Sequence, residues 1–211
     1  MAGGRSEDYA DHYFFAAILG VILGFIVAII RSAHDKSGHF KILNAVCRVY
    51  LTVIRGTPTM IQLLIMNFVI FGAVSINKVI VGSLAFGINS GAYVAEIVRS
   101  GIMSIDQGQT EAGRSLGLNF SQTMRLIIIP QAFKNVLPAL VNEFIVLIKE
   151  TSIIGYIGMM DLTKGAMLIQ SRTYNAFWPL LAAAVIYLVL VMFLTFLMNK
   201  LERRLRTNER K

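Results

Sequence analysis

Six polar or ionisable residues interrupt otherwise apolar stretches of this 211-residue chain: Asn89, Ser90, Glu96, Arg99, Asn142 and Glu143. An ionisable group held among apolar residues is costly, and inside a membrane it marks a functional candidate. Glu143 is the clearest case. Its carboxylate can meet a cationic group, or it can bond to a neighbouring helix, with Asn142 as a potential partner. Asn89 and Ser90 sit in Gly87-Ile88-Asn89-Ser90-Gly91, where the flanking glycines predict a break in a helix. Broken backbone is tolerated in a membrane only where it lines a cavity or is covered by protein. Glu96 and Arg99 stand three positions apart, the spacing of an ion pair on one helix face. Lys149 and Glu150 end an apolar run, where they either guide a charged solute or are solvated.

Enzyme chemistry finds little support in these residues. Ser90 in its Gly-flanked turn superficially resembles a nucleophile, but a serine nucleophile needs a base. The three histidines, His12, His34 and His39, all lie near the N-terminus and outside the apolar runs. No His-Glu-x-x-His pair is present, so no metal site is expected, and the scattered Met residues suit flexible packing better than metal ligation. No Gly-x-x-x-x-Gly-Lys-Ser/Thr phosphate loop occurs, so any ATP chemistry belongs to another polypeptide. The single cysteine, Cys47, excludes an internal disulfide.

The elements that must position these residues follow from composition. Hydrophobic residues make up 55% of the chain and charged ones only 15%, with a net charge of +8. About five spans of about 20 apolar residues fit. The expected architecture is all-α: a single polytopic membrane domain over residues 1–211. The first span is Tyr13 to Ile30, in which Gly20, Gly24 and Ala28 recur every fourth residue, a spacing that lets helices approach closely. A polar loop is expected from Arg31 to Gly38. The second span, Phe40 to Val74, is broken at Arg55-Gly56-Thr57-Pro58. The third is Val79 to Val98, interrupted at Gly87 to Gly91. The fourth is Leu126 to Ile148, with Pro130 at its start, and Thr151 to Tyr174 is a mixed loop. The fifth span is Phe177 to Met198.

Charge placement sets the orientation. Lys200, Arg203, Arg204, Arg206, Arg210 and Lys211 follow the last apolar run, and Arg31, Lys36, Lys41 and Arg48 follow the first. Basic flanks of this kind mark cytoplasmic segments, which explains the positive charge without nucleic acid. The C-terminus is therefore expected inside, and so is the polar segment of about residues 100–124. The acids Glu7 and Asp8 do not suit a cleaved signal peptide.

That polar segment carries the most specific pattern. Glu111-Ala112-Gly113 opens it, followed by Gly117, Ile127 and Pro130. The order predicts a short amphipathic helix ending at Gly117, which tolerates a left-handed cap. Asn119 or Ser121 then caps the next helix, which Pro130 carries into the membrane. A short helix tied rigidly to a span suits insertion into a partner's groove. The segment resembles the EAA loop of ABC importer permeases: Glu-Ala-Ala, three residues, Gly, nine residues, Ile, one residue, Leu-Pro. All spacings match, with Gly113 in place of the second Ala and Ile129 in place of Leu. Arg55 to Pro58, Ile88 to Ile102, Ile129 to Ala132, Asn142 to Phe144 and Lys149 to Ser152 resemble the polar amino-acid uptake branch of that family.

The resemblance implies a type I permease fold and a set of partners. Two permease chains, identical or different, would pair around a central path, and two ATP-binding cassette subunits would dock on the loops. Those subunits would hold ATP and Mg; this chain would bind no cofactor. An extracytoplasmic binding protein would deliver the amino acid, a basic one such as arginine, histidine or lysine, or glutamine. The setting is the bacterial inner membrane and its lipid bilayer. Glu111, Ala112, Gly113, Gly117, Ile127 and Pro130 are the expected coupling residues; Asn89, Ser90, Asn142 and Glu143 are candidates along the path. An ion-coupled transporter or a channel is the alternative, though no inverted repeat of that class is visible. An intramembrane enzyme is a more distant one.

Overall fold

A computed structural model describes the backbone of residues 4–38 and 40–207, and the side chains of residues 15–35, 38 and 40–200. His39, Arg210 and Lys211 lie outside the described residues, as do the side chains of His12, Lys36, Arg203, Arg204 and Arg206. The secondary-structure elements among the described residues are all helices, with no strand among them.

Helix α1 (Gly4–Ser37) is longer than its apolar run. Residues 31–37, expected as a loop, are its last turns, because nothing breaks the ladder before Gly38 at φ 68°. Helix α2 (Lys41–Gly56) stops where Thr57 takes an extended conformation ahead of Pro58, as a residue before proline is driven to do. Helix α3 (Thr59–Ile65) follows and ends in a π turn, Met66–Ile70. The α2 and α3 axes meet at 107°, so the Gly-Thr-Pro step is a sharp turn rather than a mild kink.

Helix α4 (Lys78–Met103) is continuous, which corrects the expected break at Gly87 to Gly91. Those glycines face another backbone instead. A Cβ on Gly87 would lie 3.1 Å from the Ala16 carbonyl, and one on Gly91 3.3 Å from that of Gly20. From the other side, a Cβ on Gly24 would stand 2.5 Å from the Val94 Cβ. Gly20 lies beside Ser90 and Gly24 beside Val94, so α1 and α4 run parallel with their small residues facing. The spacing of Gly20, Gly24 and Ala28 thus serves close helix approach. Ala28, Val94, Val98 and Val136 form one buried cluster of this seam.

Beyond α4 come α5 (Gln107–Ser115), α6 (Phe120–Thr123) and a second π turn, Met124–Ile128, that runs into α7 (Ile129–Glu150). Residues 151–174 are not a loop. They form a 3-10 turn, Thr151–Ile157, then α8 (Leu162–Thr173), whose first turn Asp161 caps. The turn is ordered by burial: Ile154 and Ile157 pack with Ala85, Phe86, Leu63 and Leu147. Helix α9 (Phe177–Thr207) is the last of the described elements.

Phe15–Asp35, Lys78–Met103 and Phe177–Lys200 are long and apolar enough to cross a membrane, and the bent α2–α3 pair makes a fourth crossing if it counts as one span. The expected fourth span, now α7, is not among these. It has 22 residues, and Lys134, Asn135, Glu143 and Lys149 dilute its apolar character. Only 6% of the α9 window is buried, and Val185, Ile186, Val189 and Met192 face outward as lipid-contacting side chains do.

Candidate functional site

The expected coupling residues meet in one unit at the end of α4. Asp106 caps α5 by accepting from the Gly108 amide at 2.7 Å. At the other end, the Gly117 amide donates to the Arg114 carbonyl at 2.9 Å and Leu118 to Gly113 at 3.1 Å. With Gly117 at φ 80°, this is a Schellman cap. Asn119 then starts α6 with a reciprocal box: its side chain accepts from the Gln122 amide, and Gln122 Oε1 accepts from the Asn119 amide, each at 2.9 Å. Between two such stops the chain has little freedom, so α5 is fixed across the foot of α7.

Gly113 is the contact point. It is buried, and a Cβ there would stand 2.7 Å from Thr123 Cγ2 and 3.1 Å from Ile127 Cδ1. Glu111, Ala112, Gly117 and Pro130 are exposed, and Ile127 is half-buried. Pro130 is the second residue of α7, just after the π turn, in a helical stretch that runs unbroken from α6 into α7. Gln131 adds a tie that sequence reasoning missed: its Nε2 donates to the Ile127 carbonyl at 2.9 Å and reaches Gln109 on α5 at 3.3 Å. A cavity of about 330 Å³ opens beside α5, with Glu111 and Arg114 at its polar edge and Met103 and Ile128 on its apolar side.

The path candidates divide. Ser90 donates to Glu143 Oε1 at 3.1 Å, joining α4 to α7 across 53 positions of sequence. Glu143 is half-buried, and Asn142, expected as its potential partner, is exposed on another face of α7. Asn89 is 1% exposed and faces the α2–α3 bend. Its amide donates to Gln62 Oε1 at 2.9 Å. Gln62 Nε2 in turn reaches the Ile54 carbonyl at 2.7 Å and Thr57 Oγ1 at 2.7 Å, closing the bend. Asn89 and Gln62 are thus a strut for the turn. Nothing in the spacing of the two residues announced it.

Toward the α5 end of α4, Glu96 receives three arginines: Arg99 from one helical turn on, Arg31 of α1 at 3.4 Å and Arg55 of α2 at 3.7 Å. The Glu96–Arg99 pair was expected; the two further partners come from elements far away in sequence. Arg55 also lies 5.6 Å from the centre of the Tyr93 ring. A cavity of about 560 Å³ between α4 and α7 is lined by Arg55, Tyr93, Glu96, Ser100, Ser104 and Asn135, among others. Among the described residues, no group of acids, histidines and cysteine could hold a metal ion.

Comparisons with known proteins agree with this architecture. Residues 11–207 match the family described as binding-protein-dependent transport system inner membrane component. The arginine transport system permease protein of Bacillus subtilis is 39% identical, over 92% of this chain and 87% of that protein. The glutamine transport system permease protein of Escherichia coli K12 is 35% identical, over 90% and 88%. The crystal structure of an amino acid ABC transporter with histidines has a chain 44% identical, with a TM-score of 0.84 over 92% of this chain and 89% of its own. This chain belongs to the family of binding-protein-dependent transport system inner membrane components.

Proposed function

We propose that this chain is the membrane-spanning permease subunit of an ATP-driven ABC importer for polar amino acids. The observation that carries the reading is α5, a short capped helix seated through Gly113 on α6 and on the π turn that leads into α7. A helix so fixed transmits a push instead of bending. The relatives named for arginine and glutamine transport support the substrate class. The chain acts as a transporter subunit, and ATP with Mg sits on separate ATPase subunits.

In this reading two ATPase subunits engage α5 of two permease chains. Their closure displaces α5, and the π turn hands the displacement to α7. Glu143 on α7 and Ser90 on α4 then move relative to each other, which couples the motor to the path. Asn142 and Glu143 lie on that path with Ser90, while Asn89 holds the α2–α3 bend in place. An extracytoplasmic binding protein delivers the amino acid. The chain crosses the inner membrane with α5 and the C-terminus in the cytoplasm, a placement the basic flanks support.

The test is uptake of labelled arginine and glutamine into vesicles holding the whole importer, with ATP inside and binding protein outside. Uptake that depends on both supports the assignment; uptake that persists without ATP removes it. A Glu111→Cys variant supplies the topology arm. Labelling of that thiol from the periplasmic side would overturn the role given to α5.

A further inference from the structure

We propose that the cavity between α1, α2 and the inner half of α4 binds the phosphate headgroup of an anionic phospholipid. The cavity is about 360 Å³ and is lined by Arg31, Arg48, Thr52, Arg55 and Glu96, among others. Three guanidinium groups from two helices converge on it, against one carboxylate. That carboxylate is already shared among Arg31, Arg55 and Arg99, and Arg48 has no ion pair among the described residues. The Nε of Arg31 is buried without a hydrogen-bond partner. Positive charge and donors therefore exceed what the protein itself satisfies. Planar guanidinium forks match phosphate oxygens well.

The geometry of α2 assigns the phosphate to a lipid. Arg48, Thr52 and Arg55 recur at the spacing of one helix face. A second face buries Asn44, Cys47 and Leu51 against the bundle. The third face exposes Ile42, Val46, Val49 and Val53, the first of them 82% exposed. A helix with a basic stripe beside an uncovered apolar stripe lies where headgroups meet acyl chains. Basic pockets between membrane helices accept acidic headgroups on the cytoplasmic side. Only the choice of leaflet depends on the topology proposed above; lipid binding does not.

Arg48→Gln is the test variant, because Arg48 holds no other element in place. The intact importer, with its ATPase subunits, is stripped of lipid in detergent and titrated with phosphatidylglycerol, phosphatidylcholine or inorganic phosphate. Native mass spectrometry reads the lipid bound to each permease chain. Wild type is expected to take up phosphatidylglycerol in preference to phosphatidylcholine. Arg48→Gln is expected to weaken the former about fivefold, the share of one basic residue near an anionic surface. Arg48→Lys keeps most of the binding, and Arg172→Gln, outside the cavity, keeps all of it. Equal phosphatidylglycerol binding by wild type and Arg48→Gln overturns the proposal. So does displacement of the lipid by millimolar inorganic phosphate, which would make the site one for a free anion. Amino-acid uptake does not enter these readouts, so the proposal stands or falls apart from the transport assignment.

Discussion

Gly113 and Thr123 face each other with no room for a side-chain carbon between them: a Cβ at 113 would lie 2.7 Å from Thr123 Cγ2 and 2.9 Å from its Oγ1. Thr123 cannot swing aside freely, since it is 1% exposed and its hydroxyl donates to the Asn119 carbonyl at 3.0 Å. The glycine that departs from the Glu-Ala-Ala pattern therefore sets how closely α5 sits on α6.

Gly113→Ala sets two effects against each other. Alanine favours the helix by up to about 1 kcal/mol. Overpacking a filled contact costs about 1–3 kcal/mol. The contact wins, and α5 tilts away from α6. ATPase affinity of the purified permease is expected to fall about fivefold for a loss of about 1 kcal/mol. The double variant Gly113→Ala, Thr123→Ala removes both the Cγ2 and the Oγ1 that the new Cβ would meet, leaves the Asn119 carbonyl accepting from the Thr123 amide, and should recover the affinity. Wild-type affinity in the single variant would show that the fit at Gly113 does not position α5.

Gly117 presents the opposite situation. Nothing lies within 4 Å of a Cβ placed there, so space does not restrict the residue. Its φ of 80° does. Asparagine visits this region readily, and a β-branched residue does not. Gly117→Asn should leave ATPase co-purification near wild type, and Gly117→Val should abolish most of it while membrane insertion persists. The strain involved is on the order of 1–3 kcal/mol, enough to unwind a nine-residue helix end but not a bundle. If both variants copurify the ATPase equally, the Schellman turn is dispensable for docking.

The coupling unit was largely legible in the sequence because its signals are local. Gly117 needs a left-handed cap and Asn119 a helix start, and both effects act within a few residues. The apolar runs likewise announced helices α1, α4 and α9. What could not be read depends on which helix lies opposite. Gly87 and Gly91 have the same appearance whether they break a helix or admit a neighbour, and only the matching Gly20 and Gly24 decide it. Asn142 precedes Glu143 in sequence, but successive residues on a helix point about 100° apart, so they do not face each other. The true partner, Ser90, is on α4. The 3-10 turn and α8 escaped because their mixed polar and apolar residues give no clear period; burial of Ile154 and Ile157 against Phe86 orders the turn, and α8 packs on that turn and on α9.

The hydrogen bond from Ser90 to Glu143 allows charge and structure to be separated. Ser90→Ala removes the hydroxyl and leaves a half-buried carboxylate with one partner fewer, at a cost of about 1–3 kcal/mol. Glu143→Gln keeps an acceptor for Ser90 and removes only the charge. If the carboxylate meets a cationic amino acid in transit, Glu143→Gln should lower arginine uptake by about tenfold or more, the loss of a hydrogen bond to a charged group. Glutamine uptake should fall much less. Ser90→Ala should slow both substrates to a similar degree, because it disturbs the α4–α7 contact and not the charge. Uptake by whole-importer vesicles, with thermal stability measured on the same preparations, checks each arm. Equal losses of arginine and glutamine uptake in Glu143→Gln, with a matching drop in stability, would make Glu143 a structural link between α4 and α7 and remove it from the path.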